Sequence, residues 1–327
     1  MTTLAAASAS PEEAKIRPSL LPCNFPGNVA TAKNILILGS KEGPVESQSS
    51  LSAGYFSEEQ YKDFVNTMER YIDSSGQERE WEDFFLAYGN KQTALSRFLT
   101  ARDGNVKQGK RMITDTFLFR INHGVNKILS PERERLRLLT AIREYWTATF
   151  FGLTAGGCPV QYHRVSLLRP SYLMGENVGE ERLKVFYLWW METAISLQRV
   201  GHERNGLKGM MPKGIEVFDF KDVSFWRLSG AIAGLRMFSR ALSVGQEHYP
   251  ETLRKAFVIN APAIVTLLWT VCLYVLAART KEKIELSSGE NREGLSNFID
   301  DDMITAMFSS TDVFAHHVVD AKRGGNS

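Results

Sequence analysis

The sequence predicts an α/β fold: a central mixed, largely parallel sheet, preceded by a small all-helical part. Three observations carry this expectation. From residue 57 to about 121, apolar residues recur at helical spacing between short turns. From residue 156 onward, short strand-like runs alternate with long helical ones, the pattern of a partly parallel sheet with crossover helices. The longest uncharged run, Ala256–Ala278, is broken early by Asn260-Ala261-Pro262, so it reads as strand, tight turn and apolar helix.

The chain has 327 residues, 43% of them hydrophobic and 23% charged, which leaves room for one large domain or two small ones. A formal net charge of +2 gives no bulk-charge case for a nucleic-acid partner. The three cysteines, Cys23, Cys158 and Cys272, lack metal-ligand spacing and read as reduced thiols. The start of the chain has no positive segment and no long apolar core, and Glu12 and Glu13 argue against a transit peptide, so no targeting segment is expected.

Taken in order, residues 1–56 are rich in Ala, Ser, Pro and Gly, with one short apolar patch at Ile35–Leu38, and read as a disordered arm. Ser57-Glu58-Glu59 opens a helix with a capping serine and early acids, and Tyr61, Phe64, Val65, Met68 and Tyr71 mark its apolar face. Helices follow at Trp81–Tyr88, Thr93–Arg102 and Val106–Ile121, the last two separated by Asp103-Gly104-Asn105. Pro131–Thr147 is expected to be a linking helix. Gly156-Gly157-Cys158-Pro159 is a turn, and Val160–Ser166 alternates like a strand. Gly179–Gly201 is a long helix dense in aromatic residues. Gly214–Asp222 is a strand, and Val223–Glu247 an amphipathic helix carrying Ile232, Leu235, Phe238 and Leu242. Lys255–Ile259 is a buried strand, Ala263–Ala278 a helix, Lys283–Leu286 a strand, and Arg292–Ile299 a short closing helix. Ser309–Ser327 reads as a flexible tail.

The stretch Tyr249-Pro250-Glu251, Ile259-Asn260-Ala261-Pro262, Thr280 and Lys283-Ile284 resembles the signature of the CRAL-TRIO lipid-binding family, in its phosphatidylinositol-transfer branch. Leu95, Arg97, Phe98, Leu99, Ala101, Arg102 and Val106 are similar to that family's N-terminal motif, with Thr100 in place of a common arginine. The resemblance implies a helical N-terminal domain at 57–130 and a lipid-binding domain with an apolar pocket at 131–308. Arm 1–56 and tail 309–327 flank them. It also implies a gate helix over the pocket. Here the gate lacks the family's two prolines, and Met303–Ser310 departs from its usual C-terminal pattern.

The function implied is reversible binding of a phospholipid, phosphatidylinositol, with transfer or presentation between cytosolic membrane faces. A phosphate wants an arginine or lysine, and inositol hydroxyls want a carboxylate or a threonine. By resemblance, Arg102, Glu251, Thr280 and Lys283 supply these, while Thr252 replaces a frequent arginine beside the acid. The family's phosphatidylcholine site is not matched: its positions read Gly214, Glu216, Gln161 and Met191, and Glu216 would repel a phosphate. No motif for a catalytic nucleophile, metal or nucleotide appears among the six scattered histidines, so no enzyme and no cofactor beyond the bound lipid is expected. The expected state is a cytoplasmic monomer, peripheral on membranes, with no nucleic-acid partner. Three alternatives stand: a carrier of another apolar ligand, sterol-like or tocopherol-like; a regulatory adaptor with a vestigial pocket; and a single membrane span through Ala256–Ala278.

Overall fold

In the computed structural model, residues 55–309 are described, apart from 131–136, 140, 143–144, 176–177, 207–209, 224–230, 267–268 and 270–277. Ser57 caps the first helix, α1 (Glu58–Ser75): its hydroxyl accepts from the Gln60 amide at 3.1 Å, and the Gln60 side chain accepts from the Ser57 amide at 2.7 Å. This reciprocal box satisfies two amides that the helix itself cannot. Helices α2 (Glu78–Ala87), α3 (Lys91–Thr100) and α4 (Val106–Asn122) come next. Their apolar faces meet around Trp81, whose indole stacks on Phe117 with ring centroids 3.9 Å apart.

These leading helices share a core with the sheet-bearing remainder of the chain. One buried cluster runs from Phe56 through Trp81 and Phe98 to Trp189, Trp190 and Tyr249. Arg120 of α4 makes a two-pronged pair with Glu192 of α6 (Glu180–Arg204), at 2.6 and 3.0 Å. The Tyr88 hydroxyl donates to the His248 carbonyl at 3.0 Å. The expected boundary near residue 130 falls at 131–136, outside the described residues, as do arm 1–54 and tail 310–327.

The sheet has five strands in the order β1 (Ala148–Leu153), β2 (Pro159–Arg164), β3 (Gly214–Asp219), β4 (Leu253–Ile259) and β5 (Ile284–Leu286). β1 is antiparallel to β2, and every other neighbour is parallel. β1 corrects the sequence reading. Pro131–Thr147 was expected to be one helix, yet Tyr145–Thr147 is not helical and the chain enters an edge strand at Ala148. Its Thr-Phe-Phe run suits a pleated surface better than a helix. A short helix α5 (Pro170–Met174) precedes α6, and α7 (Ala231–His248) links β3 to β4.

The sheet has two differently covered faces. Val160, Tyr162, Ile215, Val217, Phe257 and Ile259 pack under α9 (Arg292–Ser296) and α10 (Asp301–Ser309), through Leu295, Met303, Ile304 and Met307. The atypical segment after Ile299 therefore forms a cover for the sheet. The opposite face turns towards α6, where the Trp190 indole donates to Gln161 at 2.6 Å.

β4 ends where Asn260 adopts φ 51° and donates from its side chain to Asp219 at 2.9 Å. Asparagine tolerates that left-handed backbone, and the bond to β3 fixes it. Ala256–Ile259 lie in β4, so the apolar run is not one continuous helix. Among the described residues no helix is long and apolar enough to cross a membrane. The turn continues into helical residues 263–266. Most of the expected gate helix lies outside the described residues. The described chain re-forms as α8 (Ala278–Glu282), where a direct run into a strand was expected.

α6 reaches the β1–β2 turn through two glycines. A Cβ at Gly201 would stand 2.0 Å from the Gly157 carbonyl oxygen, and Gly157 itself has φ +76°. Backbone cannot yield as a flexible side chain does. Gly201→Ala is expected to cost about 3 kcal/mol, the upper end for overpacking. Chemical unfolding should show it as a lowered midpoint at unchanged slope; a cost below about 1 kcal/mol would mean that the helix lifts off without penalty.

Candidate functional site at the strand entrances

Parallel order places the first residues of β3, β4 and β5 at one end of the sheet. The Gly214 amide donates to the Thr252 carbonyl at 2.7 Å, and the Ala256 amide to the Lys283 carbonyl at 2.8 Å. The residues just ahead of each strand therefore converge: Lys213, Glu251 and Lys283. Both ammoniums pair with the same Glu251 oxygen, Lys283 at 3.3 Å and Lys213 in closer contact.

Glu251 sits in the turn after Pro250, at φ 53°, with its side chain 8% exposed. Burial opposes its ionisation, but Lys213 and then Lys283 outweigh that and hold the carboxyl below its usual range. The result is a partly buried centre of one carboxylate between two ammoniums. The Lys213 bond to Glu251 uses one of three ammonium donors.

The four residues expected from the sequence are not equally placed. Glu251 and Lys283 are in direct contact. Thr280 is tied to Lys283 through its carbonyl, which accepts the Lys283 amide at 3.2 Å within the last turn of α8. Arg102 stands apart, just beyond α3. Its guanidinium bonds to the neighbouring Ala101 carbonyl at 3.2 Å and makes no ion pair among the described residues.

Two further residues at this centre were given no site role by the sequence reading, although Arg97 belongs to the N-terminal motif. Lys213 was legible in principle, since a lysine ahead of a parallel strand must stand beside the turn that starts the next one. Arg97 is the α3 arginine that feels the Glu251 charge. It is fully buried, donates to Gln198 at 2.9 Å, and leaves Nε and Nη1 without partners. Burial lowers its pKa to about 10, against the opposing pull of Tyr88 and Glu251. Gln198 also donates to the Thr252 carbonyl at 2.9 Å, so α6 braces the turn that carries Glu251.

The sequence profile of the CRAL/TRIO domain matches residues 143–309, just over half of the chain. The chain belongs to the CRAL/TRIO domain family. The matched region includes Lys213, Glu251, Thr280 and Lys283, and leaves out Arg102 and the first four helices. A CRAL-TRIO domain-containing protein of Caenorhabditis elegans, T23G5.2, is 26% identical over 216 residues, covering 64% of this chain and 28% of that protein. The phosphatidylinositol/phosphatidylcholine transfer protein SFH7 of Arabidopsis thaliana is 23% identical over 206 residues, 63% of this chain and 37% of that protein. The protein real-time of Drosophila melanogaster is 22% identical over 219 residues, 65% of this chain and 31% of that one. The chain thus spans about a third of the length of these relatives. The crystal structure of Sfh5 aligns with 62% of this chain and 69% of its own, at 17% identity and a TM-score of 0.45.

Proposed function

We propose that this CRAL/TRIO chain binds phosphatidylinositol non-covalently and transfers or presents it between cytosolic membrane faces. One observation carries the reading: Lys213 and Lys283 flank the partly buried Glu251 where three parallel strands begin. Two ammoniums suit a phosphate, and a carboxylate between them suits the hydroxyls of an inositol ring. The name of the Arabidopsis relative points the same way. Arg102 and Thr280 complete the site in this reading, Arg102 as a cation that has no ion pair among the described residues to give up. Acyl chains would lie on the α6-facing side of the sheet. The protein acts as a carrier without catalysis, as a monomer, and meets membranes at their surface. In this reading residues 57–130 form a helical unit in front of the lipid-binding unit 131–308.

Lipid mass spectrometry on the purified protein, beside a Lys283→Ala, Glu251→Ala variant, tests this. Phosphatidylinositol should be present in the wild type and at least about tenfold depleted in the variant, the loss expected from removing charge-assisted contacts. A different lipid, retained equally by both proteins, would retire the headgroup reading.

A further inference from the structure

We propose that the hollow between the end of α4 and the start of α6 binds a small organic acid, an apolar body carrying one carboxylate. It shares no residue with the strand entrances and does not rest on the phosphatidylinositol reading. The hollow holds about 270 Å³, just below the usual span of ligand pockets, about 300–1,000 Å³. Glu181, Lys184, Val185 and Leu188 follow one another at helical spacing and form its α6 wall. His123, Lys127 and Ile128, in the turn after α4, stand on the other side.

Its floor is apolar and its rim is charged. Ile128 and Leu188 are buried and Val185 half-buried, while His123, Lys127 and Glu181 are exposed. Lys184 is half-buried between floor and rim. Among the described residues neither Glu181, one turn earlier on the same wall, nor any other carboxylate pairs with its ammonium. The ammonium donates instead to His123 Nε2 at 2.9 Å and stands 5.9 Å from the centre of the Phe119 ring. The imidazole is fixed in turn. Its Nδ1 meets the Phe119 carbonyl at 3.1 Å, and the Phe119 ring lies against both His123 and His248, with centroids 4.4 and 3.8 Å away. The carbonyl needs a donor and the ammonium needs an acceptor, so these contacts select the neutral ring with its hydrogen on Nδ1.

These charges dictate the ligand. An ammonium whose partner is a neutral imidazole keeps its full charge, and one of its three donors is used there. Lys127 and Lys184 against Glu181 leave one net positive charge on the lining, which matches a monoanion better than a phosphate dianion. The apolar floor favours an anion with an apolar body over a fully polar one. The volume limits that body to a fragment, far short of a phospholipid. A carboxylate then meets the Lys184 ammonium while the body covers Ile128, Val185 and Leu188. Because one wall belongs to the turn after α4 and the other to α6, the bound acid bridges the leading helices and the rest of the chain.

The test titrates the full chain by calorimetry with 2-naphthoate and with 2-naphthalenemethanol, which keeps the rings and loses the charge. The acid should bind at least about tenfold more tightly, the worth of one charge-assisted contact. Lys184→Met should bring the two within about twofold of each other, and Lys184→Arg should keep a preference for the acid. Val185→Trp, which fills the hollow, should abolish binding of the acid. The proposal is overturned if wild-type protein treats acid and alcohol alike or binds neither, or if Lys184→Met keeps the preference. It is also overturned if Val185→Trp binds the acid as tightly as the wild type, which would place the acid elsewhere in the molecule. Should Val185→Trp fail to fold, the two Lys184 variants decide the matter, since they alter a side chain that is not part of the buried core.

Discussion

Replacing Glu192 with alanine is expected to destabilise the protein by about 3–5 kcal/mol, the cost of stranding a buried charge. The Arg120 and Glu192 side chains are 3% and 7% exposed, so neither can turn to water when its partner is lost. Burial opposes the charge on Arg120, but Glu192 and then Tyr88 more than restore it, and its pKa lies above the ordinary arginine value. The ring of Tyr88 lies 5.8 Å from the guanidinium carbon, and Asn126 accepts from Nε at 3.0 Å. All three guanidinium nitrogens thus donate to Asn126 or Glu192. The pair joins α4 to α6, so its loss weakens the junction between the leading helices and the rest of the core. Urea unfolding should show the drop for Glu192→Ala and for Arg120→Ala separately. The double replacement Arg120→Met, Glu192→Leu should recover most of it, because an apolar pair carries no stranded charge. Single losses below about 1 kcal/mol would show that water reaches the site, and the leading helices would then be less firmly held than the geometry implies.

Much of this fold could be read from the sequence because its signals are local. Ser57 with Gln60, and Asn260 before Pro262, act within a few residues of themselves and mark boundaries wherever they sit. The strands at Gly214 and Lys255 announce themselves by short runs carrying Ile215, Val217 and Phe218, and Phe257 and Ile259. β1 failed for a non-local reason. Its aromatic residues come after a charged stretch at helical spacing, and only pairing with β2, across the Gly157 turn, makes strand the better choice. The candidate site divides in the same way. Glu251, Thr280 and Lys283 were named through a resemblance, and the structure shows that Glu251 and Lys283 touch. Lys213 carries no mark of its own in the sequence, and Arg97 only its place in the N-terminal motif. Their relevance arises from strand order, which puts Lys213 beside Glu251, and from the packing of α3 on α6, which buries Arg97 next to Gln198.

Glu251→Gln should lower stability at neutral pH by about 1.5–3 kcal/mol, the range for hydrogen bonds to charged groups, and reduce phosphatidylinositol binding at least about tenfold. The change keeps the shape of the side chain and removes its charge. Lys213 and Lys283 then face each other without the anion between them. The dependence on pH separates charge from shape. Because the two lysines hold the folded carboxyl below its ordinary value, the stabilisation is fully present above the unfolded carboxyl pKa. It is lost as pH falls through the lower, folded value. Melting temperatures of the wild type and Glu251→Gln should therefore differ most at about pH 6–7 and converge as pH drops below the ordinary glutamate range of about 4.3. An offset that stays constant down to about pH 3 would assign the effect to packing of the Tyr249-Pro250-Glu251 turn. Convergence in stability, together with loss of phosphatidylinositol at neutral pH, would show one carboxylate doing two jobs: holding two lysines in place for a phosphate, and offering its own oxygens to the ring.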